Sequence, residues 1–168
     1  NVLAGQKPVS AKTDAVIPSQ TAYFLSIMLS DFNAFQKSYT VYLEERGIAD
    51  QRKSELQKAQ KITGVNLPDF FEELFEDEAT FMSISANDTA PVWEKVFALR
   101  VKSGSIAFDK VRQLHQSALK KLNANAADWT EIVKIDNETK YEALRFPIAN
   151  MPELLFGQTF KGVQTEWF

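Results

Sequence analysis

The stretch "AVIPSQTAYFLSIMLSDFNAF", residues 15–35, decides how the rest of the chain is read. Pro18 restricts the backbone that leads in. An apolar run of strand length follows over residues 22–29, in which Tyr23, Leu25, Ile27 and Leu29 alternate with Ala22, Phe24, Ser26 and Met28. Both alternating sets are largely apolar, which is the pattern of a strand covered on both faces and predicts a central rather than an edge strand. Ser30 or Asp31 then stands at a helix N-cap, where a side-chain oxygen accepts a free N–H of the first turn. Phe32, Phe35, Tyr39, Tyr42 and Leu43 continue at helical spacing.

Upstream, residues 1–18 are small and polar without periodicity and read as a flexible arm or linker. Downstream, Gly47 interrupts the first helix. Asp50 is placed to cap a second, mostly polar one through Leu56, Ala59 and Ile62, and Gly64 ends it. Asn66-Leu67-Pro68-Asp69 opens a short third helix with proline in its first turn. "EATFMSIS" (78–85) and residues 92–102 read as two strands of a hairpin joined across "ANDTAP" (86–91). Ile106–Leu122 is the plainest helix, with Phe108, Val111, Leu114, Ala118, Leu119 and Leu122 on one face and Lys120 and Lys121 in the last turn. Two further strands are expected near 129–135 and 140–147, turning at "DNET" (136–139). A short helix from Met151-Pro152 to Phe156 and a terminal strand "VQTEWF" complete the series.

The order β-αα-β-β-α-β-β predicts an α+β domain. The expected form is an antiparallel sheet of about five strands with helices packed on one face, in the ferredoxin-like split β-α-β order. Residues 19–168 are expected to form one domain, the N-terminal part of a longer protein, behind the arm at 1–18.

Composition narrows function mainly by exclusion. A net charge of −3 and a pI near 5.3 argue against a nucleic-acid binder and against a polybasic membrane surface. With no cysteine there is no disulfide, no thiolate chemistry and no Cys-based zinc site. The longest apolar run, Ala22 to Leu29, is too short to span a bilayer, so no transmembrane segment is expected in this chain. Phenylalanine, at 13 residues, points to a core built from rings that need no polar partner.

No polar constellation stands out. His115 is the one histidine and has no evident partner for general-base work, so a structural or surface role is expected. Glu72, Glu73, Glu76, Asp77 and Glu78 are dense enough to suggest calcium. They lack the alternating ligands and central glycine of a calcium loop, and they interleave with Phe71, Leu74 and Phe75 as the solvated face of an amphipathic helix end. The stripe Phe32, Phe35, Tyr39 and Tyr42 could line a ligand groove; at helical spacing it reads as core. Asn87-Asp88-Thr89 and Asn137-Glu138-Thr139 fit the N-glycosylation sequon, and Asp88-Thr89-Ala90 resembles a short bacterial O-glycosylation acceptor. The glycines are scattered singly, so no phosphate loop can be built, and no serine sits in a nucleophile elbow. No catalytic, cofactor-binding or metal residue is therefore expected, and no cofactor.

Several segments together resemble an uncharacterised family of bacterial cell-envelope proteins, classed as a domain of unknown function and often predicted to be lipoproteins. The resemblance rests on the proline-led strand "IPSQTAYFLSIML", on "GVNLPDFFEELF" leading into a short helix, on the acidic step "EDEATFMSIS" and on "LLFGQTFKGVQTEWF". It implies export to the envelope, periplasmic or outer-membrane associated, a lipid tether upstream and further strands beyond Phe168. It brings no catalytic residues. The lipobox cysteine of the family is missing here, as expected if the sequence begins downstream of it. The function expected is that of a non-enzymatic envelope domain with a structural or protein-interaction role. The alternatives are a module binding a small apolar ligand or peptide on the sheet face opposite the long helices, or part of an enzyme whose site lies beyond residue 168.

Overall fold

The structure, a computed structural model, describes residues 1–85, 93–134, 140–148 and 150–163. It is a mixed α+β fold with β1 (Thr21–Met28), α1 (Phe32–Glu45), α2 (Ala49–Thr63), α3 (Leu67–Leu74), β2 (Phe75–Ser85), β3 (Trp93–Val101), α4 (Gly104–Leu122), β4 (Thr130–Lys134), β5 (Lys140–Leu144) and α5 (Met151–Phe156). The element order agrees with the reading from the sequence. The terminal strand "VQTEWF", apart from Val163, and both sequons lie outside the described residues.

The sheet differs from the expectation. The strands fall into two antiparallel sheets, one of three strands in the order β1-β2-β3 and one of two, β4-β5; among the described residues they do not join into a five-stranded sheet, and the ferredoxin-like order is not seen. Among the described residues β1 is an edge strand, not a central one: its ladder there runs to β2 alone, from Thr21 opposite Ile84 to Met28 opposite Glu78. Its apolar residues on both faces do not reflect cover on both faces, since Tyr23 is 54% and Phe24 51% exposed. The central strand is β2, where Glu78 through Met82 are all buried. Sequence pattern alone disfavours this placement, because Glu78 and Thr80 are polar. Partners from the arm, described below, make their burial tolerable.

β4 and β5 attach elsewhere. Leu144 is buried in the core, Arg112 of α4 forms an ion pair with Glu142 of β5, and the Arg145 guanidinium lies 5.7 Å from the centre of the Trp129 ring. Among the described residues the hairpin is thus fastened to α4 through the Arg112–Glu142 pair and not to the edge of the other sheet through its backbone.

Local chemistry sets the helix ends. Asp31, not Ser30, caps α1, its Oδ1 accepting from Ala34 N at 2.8 Å. Asp50 lies within the first turn of α2, whose N-cap is Ile48 with no side-chain bond; the carboxylate there still suits the helix dipole. Gly64 closes α2 in the left-handed region at φ 88°, and a Cβ there would come within 2.7 Å of Lys121 Nζ. α3 runs into β2 without a loop, Phe75 already being extended (φ −63°, ψ 134°). The β2–β3 register then shifts between Phe75 and Ala79, which leaves Glu76–Glu78 in an irregular stretch.

The core is aromatic, and Phe156 is its centre. Its ring lies 5.3 Å from Phe97, 5.5 Å from Phe32, 5.6 Å from Phe75, 5.7 Å from Phe160 and 6.4 Å from Phe35, centroid to centroid. These partners come from β3, α1, β2 and the 3₁₀ turn Gln158–Phe160, so one side chain joins the sheet to both its cover and its C-terminal segment. Phe156→Ala is expected to destabilise the protein by about 3–5 kcal/mol, as for other buried rings truncated in a packed core, measured by urea denaturation. A loss below about 1 kcal/mol would show that the cluster closes without it.

Candidate functional site

The acidic run separates in space. Glu72 accepts from Asn33 Nδ2 at 3.1 Å. Glu73 pairs with Lys110 of α4, and Lys110 holds its carboxyl below the usual range. Arg100 on β3 takes Glu76 at 2.9 Å and Asp77 at 3.0 Å. Glu78 alone turns inward, with none of its surface exposed. No group of three or more His, Asp or Glu side chains among the described residues is arranged to hold a metal ion.

Glu78 is the anchor of the N-terminal segment. Its Oε2 accepts from the backbone N–H of Lys12 at 2.8 Å and of Thr13 at 3.1 Å, and its Oε1 accepts from Thr13 Oγ1 at 2.5 Å. Thr13 Oγ1 lies 2.8 Å from Thr80 Oγ1, which lies 2.6 Å from Ser26 Oγ. A hydroxyl has one proton to give. With Thr13 donating to the carboxylate, Thr80 donates to Thr13 and Ser26 to Thr80, a chain of donors that ends on the charge. Burial raises the carboxyl's affinity for a proton, but the bonds from the Thr13 side chain and from the Lys12 and Thr13 amides outweigh it and hold the pKa below the ordinary value. Further along the arm, Gln6 gives and takes a bond with the Asp31 backbone at 2.9 and 3.0 Å, and Lys7 N donates to Ser30 Oγ at 2.8 Å. The segment expected as a flexible arm is thus docked at both of these points.

His115 is 2% exposed on α4, with Nε2 3.0 Å from the Arg145 carbonyl and its ring 5.6 Å from that of Phe146. A carbonyl only accepts, so Nε2 carries the proton and the ring links α4 to the chain after β5. Of the aromatic stripe, Phe32, Phe35 and Tyr39 are buried in the core and Tyr42 is exposed.

Two concave surfaces lie around α2. One, of about 540 Å³, opens between α1, α2 and the start of α3 and is lined by Glu44, Asp50, Lys53 and Gln57 among others. Another, of about 450 Å³, lies between α2, the end of α1 and the α5 segment, with Tyr39, Arg52, Glu153, Gln158 and Lys161 in its walls. Arg52 borders both. A smaller apolar pocket of about 210 Å³ sits between α3, β3 and α4, lined by Phe71, Phe97, Leu99 and Phe108. Arg52 was not singled out by the sequence, and Glu78 entered only as one carboxylate of the acidic run read as a solvated helix face. Arg52 shares a helical face with Leu56, Ala59 and Thr63, a spacing that turns it inward; nothing local marks Glu78.

Scans against protein-family models, curated proteins and solved structures each return no match.

Because Glu78 has a depressed folded pKa, its contribution is full above the ordinary carboxyl range and is lost as pH falls through the depressed value. Acidification is therefore expected to free Lys12 and Thr13, read as falling protection of their amides in hydrogen exchange. Glu78→Gln is expected to do the same at neutral pH, at a cost of about 1–3 kcal/mol. Unchanged protection of those two amides in the Gln variant would count against the anchoring role.

Proposed function

We propose that this chain is a non-enzymatic protein-interaction domain that takes up an extended, uncharged segment of another protein along the edge of β1 with which no described residue pairs. The observation that carries this reading is the character of that edge. Leu29 N–H donates to Asp77 O at 2.8 Å. The alternation of an antiparallel ladder then directs the backbone groups of Phe24, Ser26 and Met28 away from β2. "TAYFLSIM" carries no charge and no proline, the devices that normally blunt a sheet edge. The opposite edge, β3, carries Glu94, Lys95 and Arg100. Along β1, Tyr23 on one face and Phe24 on the other are each more than half exposed. A strand laid beside them covers both rings and satisfies the outward N–H and C=O groups, the combination that gives strand addition its affinity.

Binding of an apolar ligand on the other face of the sheet is less well supported. The arm docks there on Glu78 and Thr80, and the apolar pocket of about 210 Å³ is below the roughly 300–1,000 Å³ usual for small-molecule sites. An envelope location and a lipid tether upstream are part of the same proposal and rest on the family resemblance. Fractionation of cells expressing the full gene tests them.

Labelled nonapeptides of alternating valine and threonine are the probe for the edge. Fluorescence anisotropy is expected to give saturable binding that Phe24→Lys weakens about tenfold, equivalent to ~1.4 kcal/mol. An isotherm that the lysine leaves unmoved would remove β1 as the docking strand. Concentration-dependent light scattering that Phe24→Lys abolishes, with no peptide binding, would replace the partner by a second copy of the chain.

A further inference from the structure

Arg52 is an oriented cation without a counterion among the described residues. Its Nε donates to the Leu154 carbonyl at 2.9 Å and its Nη2 to Gln36 Oε1 at 2.5 Å. Gln36 is itself fixed, its Nε2 donating to the Leu155 carbonyl at 2.6 Å. The guanidinium carbon stands 5.1 Å from the centre of the Tyr39 ring, a cation–π placement that sets the plane of the group. Every acceptor in this arrangement is neutral, and no carboxylate among the described residues lies within ion-pair distance of Arg52. Nη1 and the second Nη2 hydrogen are without a partner among the described residues. Burial weakens the hold of this side chain on its proton, which marks the cost of keeping a charge there unpaired.

The groove of about 450 Å³ beside it supplies space and a second feature, its charge balance. Arg52, Lys58 and Lys161 face Glu55 and Glu153 across it, one positive charge in excess. Lys58 already holds Glu55 at 2.7 Å. Ile62, Pro147 and Ile148 give part of the wall an apolar character. We propose that this groove is a binding site for a small monocarboxylate with an apolar tail, its carboxylate received on Arg52 Nη1 and Nη2 and its tail laid along Ile62 and Ile148. The guanidinium fork matches a carboxylate geometrically where an ammonium does not. Glu153 and the single excess charge select a monoanion over a dianion. The site is separate from the β1 edge, so either reading stands without the other.

The test is an amide NMR titration of the full chain with sodium hexanoate, with hexanol and sodium chloride in parallel. Hexanoate is expected to give saturable shifts at Gln51–Glu55 and Gln158–Lys161, and neither control to reproduce them. Arg52→Lys keeps the charge but not the fork and is expected to raise the midpoint about tenfold. Lys161→Gln, on the exposed rim, is expected to raise it severalfold and serves if the Arg52 variant fails to fold. Shifts that do not saturate, equal shifts with hexanol or chloride, or a midpoint indifferent to a folded variant would each overturn the assignment.

Discussion

The packing of rings around Phe156 is the constraint on which the other parts of this structure depend. The three-stranded sheet presents Phe75 and Phe97, α1 presents Phe32 and Phe35, and Phe156 fills the space between them. For the ring to reach that position, the chain after β5 has to lie tightly against α1 and α2. Two backbone features permit it. Asn150 leads into α5 at φ 57°, and Gly157 leaves it at φ 100°. A Cβ at Gly157 would stand 3.0 Å from the Tyr39 hydroxyl, so the close approach to α1 and the left-handed turn require glycine together. Gln36 and Arg52 then bond the Leu155 and Leu154 carbonyls and hold α5 in place. The oriented arginine is a by-product of this closure: the bonds that fasten the last helix also aim the guanidinium.

The other face of the sheet is governed by charge rather than by rings. A glutamate at the centre of β2 is costly to bury and is retained because three donors of the N-terminal segment converge on it. The dependence runs both ways. Residues 12 and 13 have little apolar surface with which to dock, and the carboxylate gives them a specific place. Bonds that span 65 to 67 residues of sequence thereby decide where the start of the chain lies. The remaining acidic side chains of the run are taken up by Asn33, Lys110 and Arg100, which leaves Glu78 free of competition for the arm's donors.

How much of this could be read from the sequence follows from the range of the interactions. The helices were legible because their signals are local: periodicity, Asp31 at the N-cap, Gly64 at the C-terminus. The α+β class and the order of the elements were legible for the same reason. Strand neighbours were not. Two apolar faces in "TAYFLSIM" describe either a strand flanked on both sides or an edge that is left exposed, and the periodicity is identical. Nor does the central place of β2 show in its own residues, because Glu78 reads with the solvated acidic run until Thr13 is placed over it and Thr80. β4 and β5 were expected in the main sheet because nothing in their own residues reports Arg112 or His115, which draw the hairpin toward α4. Of the candidate sites, His115 reads from the sequence as a structural or surface residue and lies buried against Arg145 and Phe146, whereas Arg52 required knowledge that α5 folds back across α2.

The position of Phe156 also bears on how the chain is made. Synthesis proceeds from the N-terminus, so β1, α1, β2 and β3 are available well before the residue that completes their core. At the usual pace of about 5–20 residues per second, the interval between Val101 and Phe156 is roughly three to ten seconds. During it, an aromatic sheet face and an uncharged strand edge stand open at once on the nascent chain. The ribosome-bound intermediate therefore presents more apolar surface than the finished protein does, and the chain is most open to wrong contacts in that interval.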